Sequence, residues 1–501
     1  MMGSAPKTSA YLRTEEAPLL PAPISMVGIQ GWIIANLFPT VGNGIVTVLA
    51  GAFVLWIGWG VLDWAIFSAV WSGADREVCA VEGAGACWPF VQTKFAQWIY
   101  GFYPIDQRWR VNICFLIGAA ALVPMLMPSM PYKKWNALFL LIAYPLITLI
   151  LLTGGHFSMP ASAFLNAFII LALAATFLPL VAFGIEEGIQ SNRLGLGLAG
   201  FGILVWLASF VIGSSVWHGA LGSFSPGSIG AAIFIGCGGL IGIAQVRGEG
   251  NLGAQGAFRS WLTGAAVIFG LMLILKIDFG LEEVETSQWG GLLVTLVVAI
   301  TGIVASLPLG ILLALGRRSK MPIVKTFSVI FIEAWRGVPL ITVLFMASVM
   351  LPLFLPEGVN FDKLMRALIG VALFSSAYMA EVVRGGLQAI PKGQYEAAQA
   401  LGLSYWKLMS LIVLPQALKI VIPGIVNSFI SLFKDTTLVS IVGLFDLLNI
   451  VTTTANDAKW ASPQTGATGY FAAALIFWIF CFGMSRYSLF IERRLNTGHK
   501  R

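Results

Sequence analysis

One polar stretch, "GQYEAAQALGLSYWKLMSLIVLPQ" at residues 393–416, lies between two long apolar runs. Pro391 precedes it at a position where a helix can begin, and Glu396 falls in the first turns, where its charge complements the helix dipole. The alanines favour helix, and Gly402 is placed to end it. Ser404 can cap a second helix. The stretch therefore predicts a short helix, a sharp turn and a helix that enters a membrane.

The composition around this stretch is that of a membrane protein. The chain has 501 residues, of which 58% are hydrophobic and 11% charged, whereas a soluble domain carries about 25% charged residues. The apolar runs are continuous rather than alternating, and lipid admits only helices or closed barrels. The sequence predicts an all-α polytopic membrane protein.

The hydropathy pattern predicts about 12 transmembrane helices. Seven spans come first, at 43–70, 111–129, 135–156, 161–184, 197–217, 229–245 and 257–276. Five follow, at 290–316, 325–354, 364–383, 409–433 and 468–490.

The positive charges give these spans an orientation. The net charge of +7 comes from basic residues that fall in alternate loops, and lysine and arginine favour cytoplasmic loops. These loop residues are Lys133, Lys134, Arg193, Arg247, Arg259, Arg317, Arg318, Lys320, Arg384, Lys392 and Lys407, with Arg493, Arg494, Lys500 and Arg501 in the tail. Residues 278–289 are acidic and fall outside. Both termini are predicted to be cytoplasmic, with residues 1–40 as an amino-terminal tail.

Two cysteines lie together in the predicted outer loop, residues 72–110. Cys79 and Cys87 could form a disulfide if that loop faces an oxidising compartment, and two free thiols are the alternative.

Motifs for nucleotide, metal or catalytic chemistry find no support. "GLGLAG" at 195–200 fits G-x-G-x-x-G, but it opens an apolar helix, so we interpret the glycines as close helix packing. The chain has no G-x-x-x-x-G-K-[ST] and no H-E-x-x-H. The three histidines, His156, His218 and His499, lack partners at ligand spacing. We predict no catalytic residue and no metal site.

The opening stretch resembles the EAA loop of ABC-importer permeases. The likeness rests on Glu396-Ala397-Ala398, Gly402 six residues later, Ile412 and Leu414-Pro415. In that family the loop, here residues 390–415, is a coupling helix that docks into a groove of a separate ATPase subunit. The resemblance implies that ATPase coupling falls on Gly393, Glu396, Ala397, Ala398 and Gly402.

Flanking segments resemble the polar-amino-acid branch of those permeases: residues 331–345, 380–402 and 434–448. "GACWPFVQTKFAQWIYGFYP" at 85–104 resembles the enlarged permease subunit of general L-amino-acid importers. The resemblance implies a type I five-helix permease core at 281–501. Residues 41–280 form an extension of about seven helices, and we recognise no family resemblance in 157–276.

The resemblance also implies the working assembly. The chain would be a non-enzymatic subunit in the bacterial inner membrane that carries L-amino acids into the cytoplasm. ATP and Mg would be bound by a partner ATPase dimer, with no cofactor in this chain and no nucleic acid. A second permease, expected to be a related chain with a second copy of this chain as the alternative, and a periplasmic binding protein would complete the assembly.

Ionisable residues within membrane spans mark a pathway by default, because each is costly in lipid. Candidates for the substrate pathway are Lys434, Asp435, Thr436 and Thr437. A structural role in capping or linking helices is the competing interpretation. Two further pairs at i,i+3 spacing are interpreted as local ion pairs, Glu333 with Arg336 and Glu381 with Arg384.

Two other function classes compete with the importer subunit. A stand-alone, ion-coupled secondary amino-acid transporter would show an inverted repeat between its halves, and no second copy of the 393–416 pattern is visible. A membrane enzyme would need clustered nucleophiles, bases or metal ligands, which the sequence lacks.

Overall fold

The fold is given by a computed structural model. It describes residues 28–127, 129–155, 161–183, 189–211, 217–219, 222–224, 226–247, 251–354 and 362–495. The prediction of an all-α chain is confirmed. Within these residues the sheet is a single antiparallel pair, β1 (Trp217–Gly219) and β2 (Gly222–Phe224), with His218 opposite Ser223.

Helices cover the amino-terminal half. They are α1 (Gly28–Leu37), α2 (Val41–Leu62), α3 (Trp88–Tyr100), α4 (Arg108–Leu126), α5 (Lys133–Leu138), α6 (Tyr144–Thr153), α7 (Ala161–Phe183), α8 (Arg193–Val211), α9 (Pro226–Arg247) and α10 (Asn251–Lys276). Helix α1 lies within the predicted tail, and residues 1–27 lie outside the described part.

Helices also cover the carboxy-terminal half. They are α11 (Gly291–Arg317), α12 (Pro322–Gly337), α13 (Leu340–Phe345), α14 (Lys363–Ala389), α15 (Lys392–Ala400), α16 (Tyr405–Leu408), α17 (Leu414–Asp435), α18 (Leu447–Ala455) and α19 (Pro463–Leu495). A π-helical turn, Met409–Val413, joins α16 to α17, and the two-residue strand β3 (Phe445–Asp446) precedes α18.

Each predicted span coincides with an apolar helix. In the described part of the chain, eight helices are long and apolar enough to cross a membrane, and a bent pair makes up to nine. Three shorter apolar helices, Phe164–Pro179, Arg193–Ala208 and Trp261–Leu275, occupy the other predicted positions. At the predicted span 197–217 the described helix runs to Val211, and Trp217 already lies in β1.

The predicted span at 325–354 is broken rather than straight. Pro322–Gly337 and Leu340–Leu353 are bent by 105° at the break between them. Pro339 causes the break, since a proline forces the residue before it out of the helical region. Val338 is accordingly extended, at φ −112° and ψ 135°.

Glycines of α9 set close packing against α7 and α8, whereas the G-x-G-x-x-G glycines do not: a Cβ on Gly197 or Gly200 would meet nothing within 4 Å. A Cβ on Gly238 of α9 would lie 2.7 Å from the Gly195 carbonyl oxygen of α8. A Cβ on Gly239 would lie 2.8 Å from the Ala172 carbonyl oxygen of α7. Small residues thus allow the backbones of these helices to pack in direct contact.

The chain forms two compact units. The first comprises Met1–Phe90 with Lys459–Thr468. It contains a disulfide between Cys79 and Cys87, whose Cα atoms are 5.6 Å apart, so the paired alternative holds in this structure. The second comprises Val91–Ala458 with Gly469–Arg501 and includes the predicted boundary near residue 280.

Within the second unit, three backbone segments meet at the amino-terminal end of α11, and we call this contact the far-end joint. Gly101 pairs with Trp289, and Gly290 and Gly291 pair with the two residues of β3. Trp98 Nε1 donates to Thr454 Oγ1 at 2.9 Å. The segment after α3 is therefore joined to the carboxy-terminal helices by backbone contacts.

Candidate functional site

Helix α15 lies at the other end of α11 from the far-end joint, between α14 and α16. Pro391 is its N-cap, so the helix begins at Lys392, one residue after the predicted start. The predicted stop at Gly402 is confirmed, because this residue adopts φ +68°. The Leu403 N–H donates to the Ala398 carbonyl at 3.2 Å and the Gly402 N–H to the Gln399 carbonyl at 2.9 Å. This is a Schellman motif, which satisfies the last carbonyls of the helix.

One face of α15 is exposed and smooth, and we call it the α15 stripe. Its members follow helical spacing: Gly393, Glu396, Ala397, Ala400 and Leu401. Glu396 is the one charged member, and Leu401 is 76% exposed although apolar. A surface with small side chains, one carboxylate and one apolar residue can fit closely into a groove on another protein.

The opposite face of α15 is fixed to the helix bundle. Ala398 is 1% exposed and packs in an apolar cluster with residues of α14, α16 and α17. The Tyr395 hydroxyl donates to the Leu387 carbonyl of α14 at 3.2 Å. It accepts from Arg318 Nη1 at 2.9 Å. The expectation that Ala398 contacts the ATPase is corrected, because helical geometry turns it with Tyr395 toward the core.

The helix that follows begins as predicted but without the predicted side-chain cap. Ser404 is the N-cap of α16, yet its hydroxyl makes no capping bond there. The Ser404 carbonyl accepts the first backbone hydrogen bond of the helix, from the Leu408 N–H at 2.9 Å.

A network of five charged residues lies at the same end of the bundle. Glu381 on α14 is at its centre, with Oε1 2.9 Å from Arg317 Nη1 and Oε2 2.6 Å from Arg384 Nη2. Arg336 Nη1 is 3.7 Å from the same Oε2. Arg317 also contacts Glu333 Oε1 at 2.9 Å. The interpretation of Glu381–Arg384 as a local pair is confirmed, whereas Glu333 pairs across helices with Arg317 instead of Arg336.

This network ties the ends of three helices together. Arg317 ends α11, Glu333 and Arg336 lie on α12, and Glu381 and Arg384 lie on α14. The Glu381 side chain is only 14% exposed, so its charge depends on the surrounding guanidinium groups. Sequence reasoning assigned Arg317 to membrane orientation alone. Its place at a helix end, opposite intramembrane carboxylates, is the signal that could have identified it.

The candidate pathway residues divide into two groups. Lys434 is exposed and Asp435 is half-buried, both at the end of α17. Thr436 is 1% exposed and its hydroxyl donates to the Phe433 carbonyl at 2.7 Å. The expectation that Thr436 lines a pathway is therefore corrected: it packs in the interior. The Thr437 hydroxyl donates to the Lys434 carbonyl at 3.0 Å.

Asp446 was missed by sequence reasoning. It is fully buried at the start of α18 and accepts from the Leu448 N–H at 2.9 Å and the Asn449 N–H at 3.3 Å. Burial raises the pKa of its carboxyl to about 6. An aspartate just before an apolar helical run is a typical N-cap signal and could have revealed it.

Comparison with known proteins gives consistent matches. Residues 306–497 match the family described as binding-protein-dependent transport system inner membrane component. The chain is 41% identical to the inner membrane amino-acid ABC transporter permease protein YhdY of Escherichia coli, covering 93% of each chain. It is also 41% identical to the glutamate/glutamine/aspartate/asparagine transport system permease protein BztC of Rhodobacter capsulatus, covering 98% of this chain and 99% of that one.

Shorter relatives match only part of the chain. The probable glutamine ABC transporter permease protein GlnP of Bacillus subtilis is 33% identical over 206 residues. That match covers 90% of GlnP but 41% of this chain. The chain is therefore similar to the long relatives over nearly its whole length and to the short one over less than half.

Proposed function

The chain belongs to the amino-acid ABC-transporter permeases, and we propose that it carries L-amino acids into the cytoplasm with energy from a separate ATPase that docks on α15. The observation that carries this proposal is the α15 stripe: an exposed, smooth surface on a helix whose other face is fixed to the bundle. The predicted permease core agrees with the family match at 306–497. The chain is a multi-pass protein of the bacterial inner membrane.

Docking at α15 would act directly on the membrane helices. Tyr395 binds the end of α14 through the Leu387 carbonyl and the end of α11 through Arg318. Ala398 belongs to the same buried apolar cluster as Ala417 of α17. A displacement of α15 is therefore transmitted to three membrane helices, because packed interiors move as units rather than deform.

The network around Glu381 supports such rigid-body movement. Closure of two ATPases over ATP and Mg would draw the docked α15 helices of two permease subunits together. The ends of α11, α12 and α14, held by Glu381, would move as one body. That movement would switch the pathway between inward-facing and outward-facing states.

The partners follow from the same proposal. They are an ATPase dimer, a second, related permease subunit and a periplasmic binding protein. The name of the Rhodobacter relative gives glutamate, glutamine, aspartate and asparagine, so acidic and amide L-amino acids are the first substrates to test. Both termini would lie in the cytoplasm. The exposed Lys434 and the half-buried Asp435 and Thr437 remain candidates for the substrate pathway.

Co-purification of the ATPase tests the docking surface. The tagged full-length chain is isolated from native membranes as wild type, as Glu396→Lys and as Glu283→Lys. The last variant is the matched control, since Glu283 is also exposed but lies near the far-end joint. We expect the ATPase to co-purify with wild type and with Glu283→Lys but not with Glu396→Lys. If Glu396→Lys still retained the ATPase, the α15 stripe would be excluded as the interface. If the ATPase did not co-purify with wild type, the proposal would be refuted.

A further inference from the structure

A basic cleft lies at the turn between α11 and α12. It is open to the surface, has a volume of about 780 Å³ and is lined by Arg318, Ser319, Lys320, Lys325, Thr326 and Ile330 together with two apolar neighbours. Three of these side chains are cationic, two carry hydroxyls, and none is acidic. The cleft therefore offers donors for an anion and no carboxylate to neutralise them.

Two of the three cations of the cleft have no ion-pair partner among the described residues. Lys320 and Lys325 are exposed and form no ion pair within the described residues. Arg318 Nη1 is held by the Tyr395 hydroxyl and by the Leu387 carbonyl at 3.1 Å. These contacts fix the guanidinium plane at the cleft wall. A fixed guanidinium with further N–H groups to offer suits phosphate oxygens.

An apolar stripe runs along α12 from the cleft. Ile323, Phe327 and Ile330 follow helical spacing and are 76%, 65% and 62% exposed. The other side of α12 is buried, with Ser328 at 4% and Ile332 at 0%. The apolar stripe can therefore contact hydrocarbon chains, and it lies next to the basic cleft, which can bind an anion.

We propose that this cleft binds the phosphate headgroup of an anionic phospholipid, whose acyl chains lie along Ile323, Phe327 and Ile330. A headgroup phosphate matches the three cations and two hydroxyls, and the chains cover the apolar stripe. Basic pockets between membrane helices on the cytoplasmic side suit anionic headgroups for these reasons. This site is a property of the chain itself and does not require the proposed ATPase coupling.

Membrane orientation and contact with the ATPase are two alternative roles for these cations, and each makes a different prediction. Basic residues fall in cytoplasmic loops for reasons of orientation alone, and in that case any basic loop would behave alike. Lys133 and Lys134, at the start of α5, provide such a loop. If the cations instead contact an acidic surface of the ATPase, their loss would release that partner rather than lipid.

Native mass spectrometry of the full-length chain, purified with equal phosphatidylglycerol and phosphatidylcholine, tests the proposal. We expect wild type to retain phosphatidylglycerol selectively. Lys320→Gln with Lys325→Gln would weaken retention about 25-fold, at about fivefold for each charge. Lys320→Arg with Lys325→Arg would preserve retention, as would the control Lys133→Gln with Lys134→Gln.

Four results would overturn the lipid site. Wild type could retain both lipids equally, or the control loop could lose lipid as strongly as the cleft. Inorganic phosphate could displace phosphatidylglycerol completely at equal concentration, which would show that acyl chains contribute nothing. Finally, Lys320→Gln with Lys325→Gln could lose the ATPase on co-purification while retaining lipid, which would assign the cleft to that partner.

Discussion

Glu381 joins three helices through one carboxylate. Arg317 comes from α11, Arg336 from α12 and Arg384 from its own helix. Removal of the charge would leave three guanidinium groups facing one another in a partly buried place, which is worse than losing a surface ion pair. Glu333, at the edge of the same network, has a side chain that is 54% exposed, and its one ion pair within the described residues is with Arg317.

Glu381→Gln is therefore expected to lower the free energy of unfolding by about 3 kcal/mol. Glu333→Gln, the same chemical change at the exposed edge, should cost less than about 1 kcal/mol. Denaturant unfolding of the purified chain in detergent measures both. Equal losses would mean that the network is a set of independent surface pairs rather than a connection centred on Glu381.

Asp446 gives a pH dependence of known sign. Burial raises the pKa of its carboxyl to about 6 from an ordinary 3.8. Between these two pH values the folded state therefore keeps a proton that the unfolded state releases. The resulting stabilisation is complete below pH about 4 and is lost as the pH rises through about 6. We expect the free energy of unfolding to fall by about 3 kcal/mol over that interval.

Asp446→Asn removes this ionisation while keeping a good N-cap. The variant should show no loss of stability between pH 4 and pH 6, and should be more stable than wild type at pH 7. Thermal unfolding across this pH range compares the two. A pH profile that Asp446→Asn leaves unchanged would assign the ionisation to another residue.

Residue-level prediction succeeded where the reason is local. Gly402 is recognisable because a helix end needs a left-handed residue, and Glu381–Arg384 because i,i+3 residues share a helix face. The same spacing failed for Glu333, since Arg317 of a neighbouring helix comes closer. Which helix supplies a partner depends on tertiary packing, and a single sequence does not contain it.

At the scale of elements, the far-end joint depends on backbone proximity. Gly291 adopts φ +63°, and a Cβ there would lie 2.0 Å from the Trp98 carbonyl oxygen. Gly280 also adopts a left-handed conformation, φ +65°, but a Cβ there would meet nothing within 4 Å. Substitution of Gly280 therefore tests backbone strain alone, and substitution of Gly291 tests backbone strain together with a steric clash.

Gly291→Ala should lower the free energy of unfolding by at least about 3 kcal/mol, because strain and clash combine. Gly280→Ala should cost about 1 kcal/mol, from strain alone. Unfolding of each variant in detergent gives the comparison. Similar values for both would show that the α3 segment can move away from α11 and that the joint is loose.

Element positions were predictable from hydropathy, and element shape was not. The twelve predicted spans all coincide with apolar helices, since a long apolar run must form backbone hydrogen bonds within itself. The 105° bend between α12 and α13 lies at Pro339, and hydropathy alone gives neither the bend nor its angle. The far-end joint was missed, because its glycines meet across nearly 200 positions of sequence.

At the scale of the whole molecule, the Cys79–Cys87 disulfide provides a test of the predicted membrane orientation. A Cys79–Cys87 bond requires the loop to face an oxidising compartment. In a background with Cys114→Ser, Cys237→Ser and Cys481→Ser, we expect a membrane-impermeant thiol reagent to label intact cells only after an impermeant reductant. Labelling without reductant, or only after cell lysis, would contradict the orientation with both termini inside.

The long relatives match this chain across the predicted boundary near 280, and backbone contacts of the far-end joint cross the same boundary. Lys94 and Asp457 form an ion pair at 2.5 Å, and Arg110 Nη1 donates to the Glu282 carbonyl at 2.6 Å. These contacts join residues on both sides of the predicted boundary near 280. A movement that starts at α15 would therefore reach the segment after α3 through α11.

The most direct test of ATP-driven import is amino-acid uptake into proteoliposomes. The complex purified from native membranes is compared with the chain alone, using labelled glutamine, the periplasmic binding protein, and either ATP with Mg or an ion gradient. We predict uptake only with the ATPase present and ATP supplied, and none by the chain alone. Uptake by the chain alone along an ion gradient would contradict ATP-driven import and identify a secondary transporter.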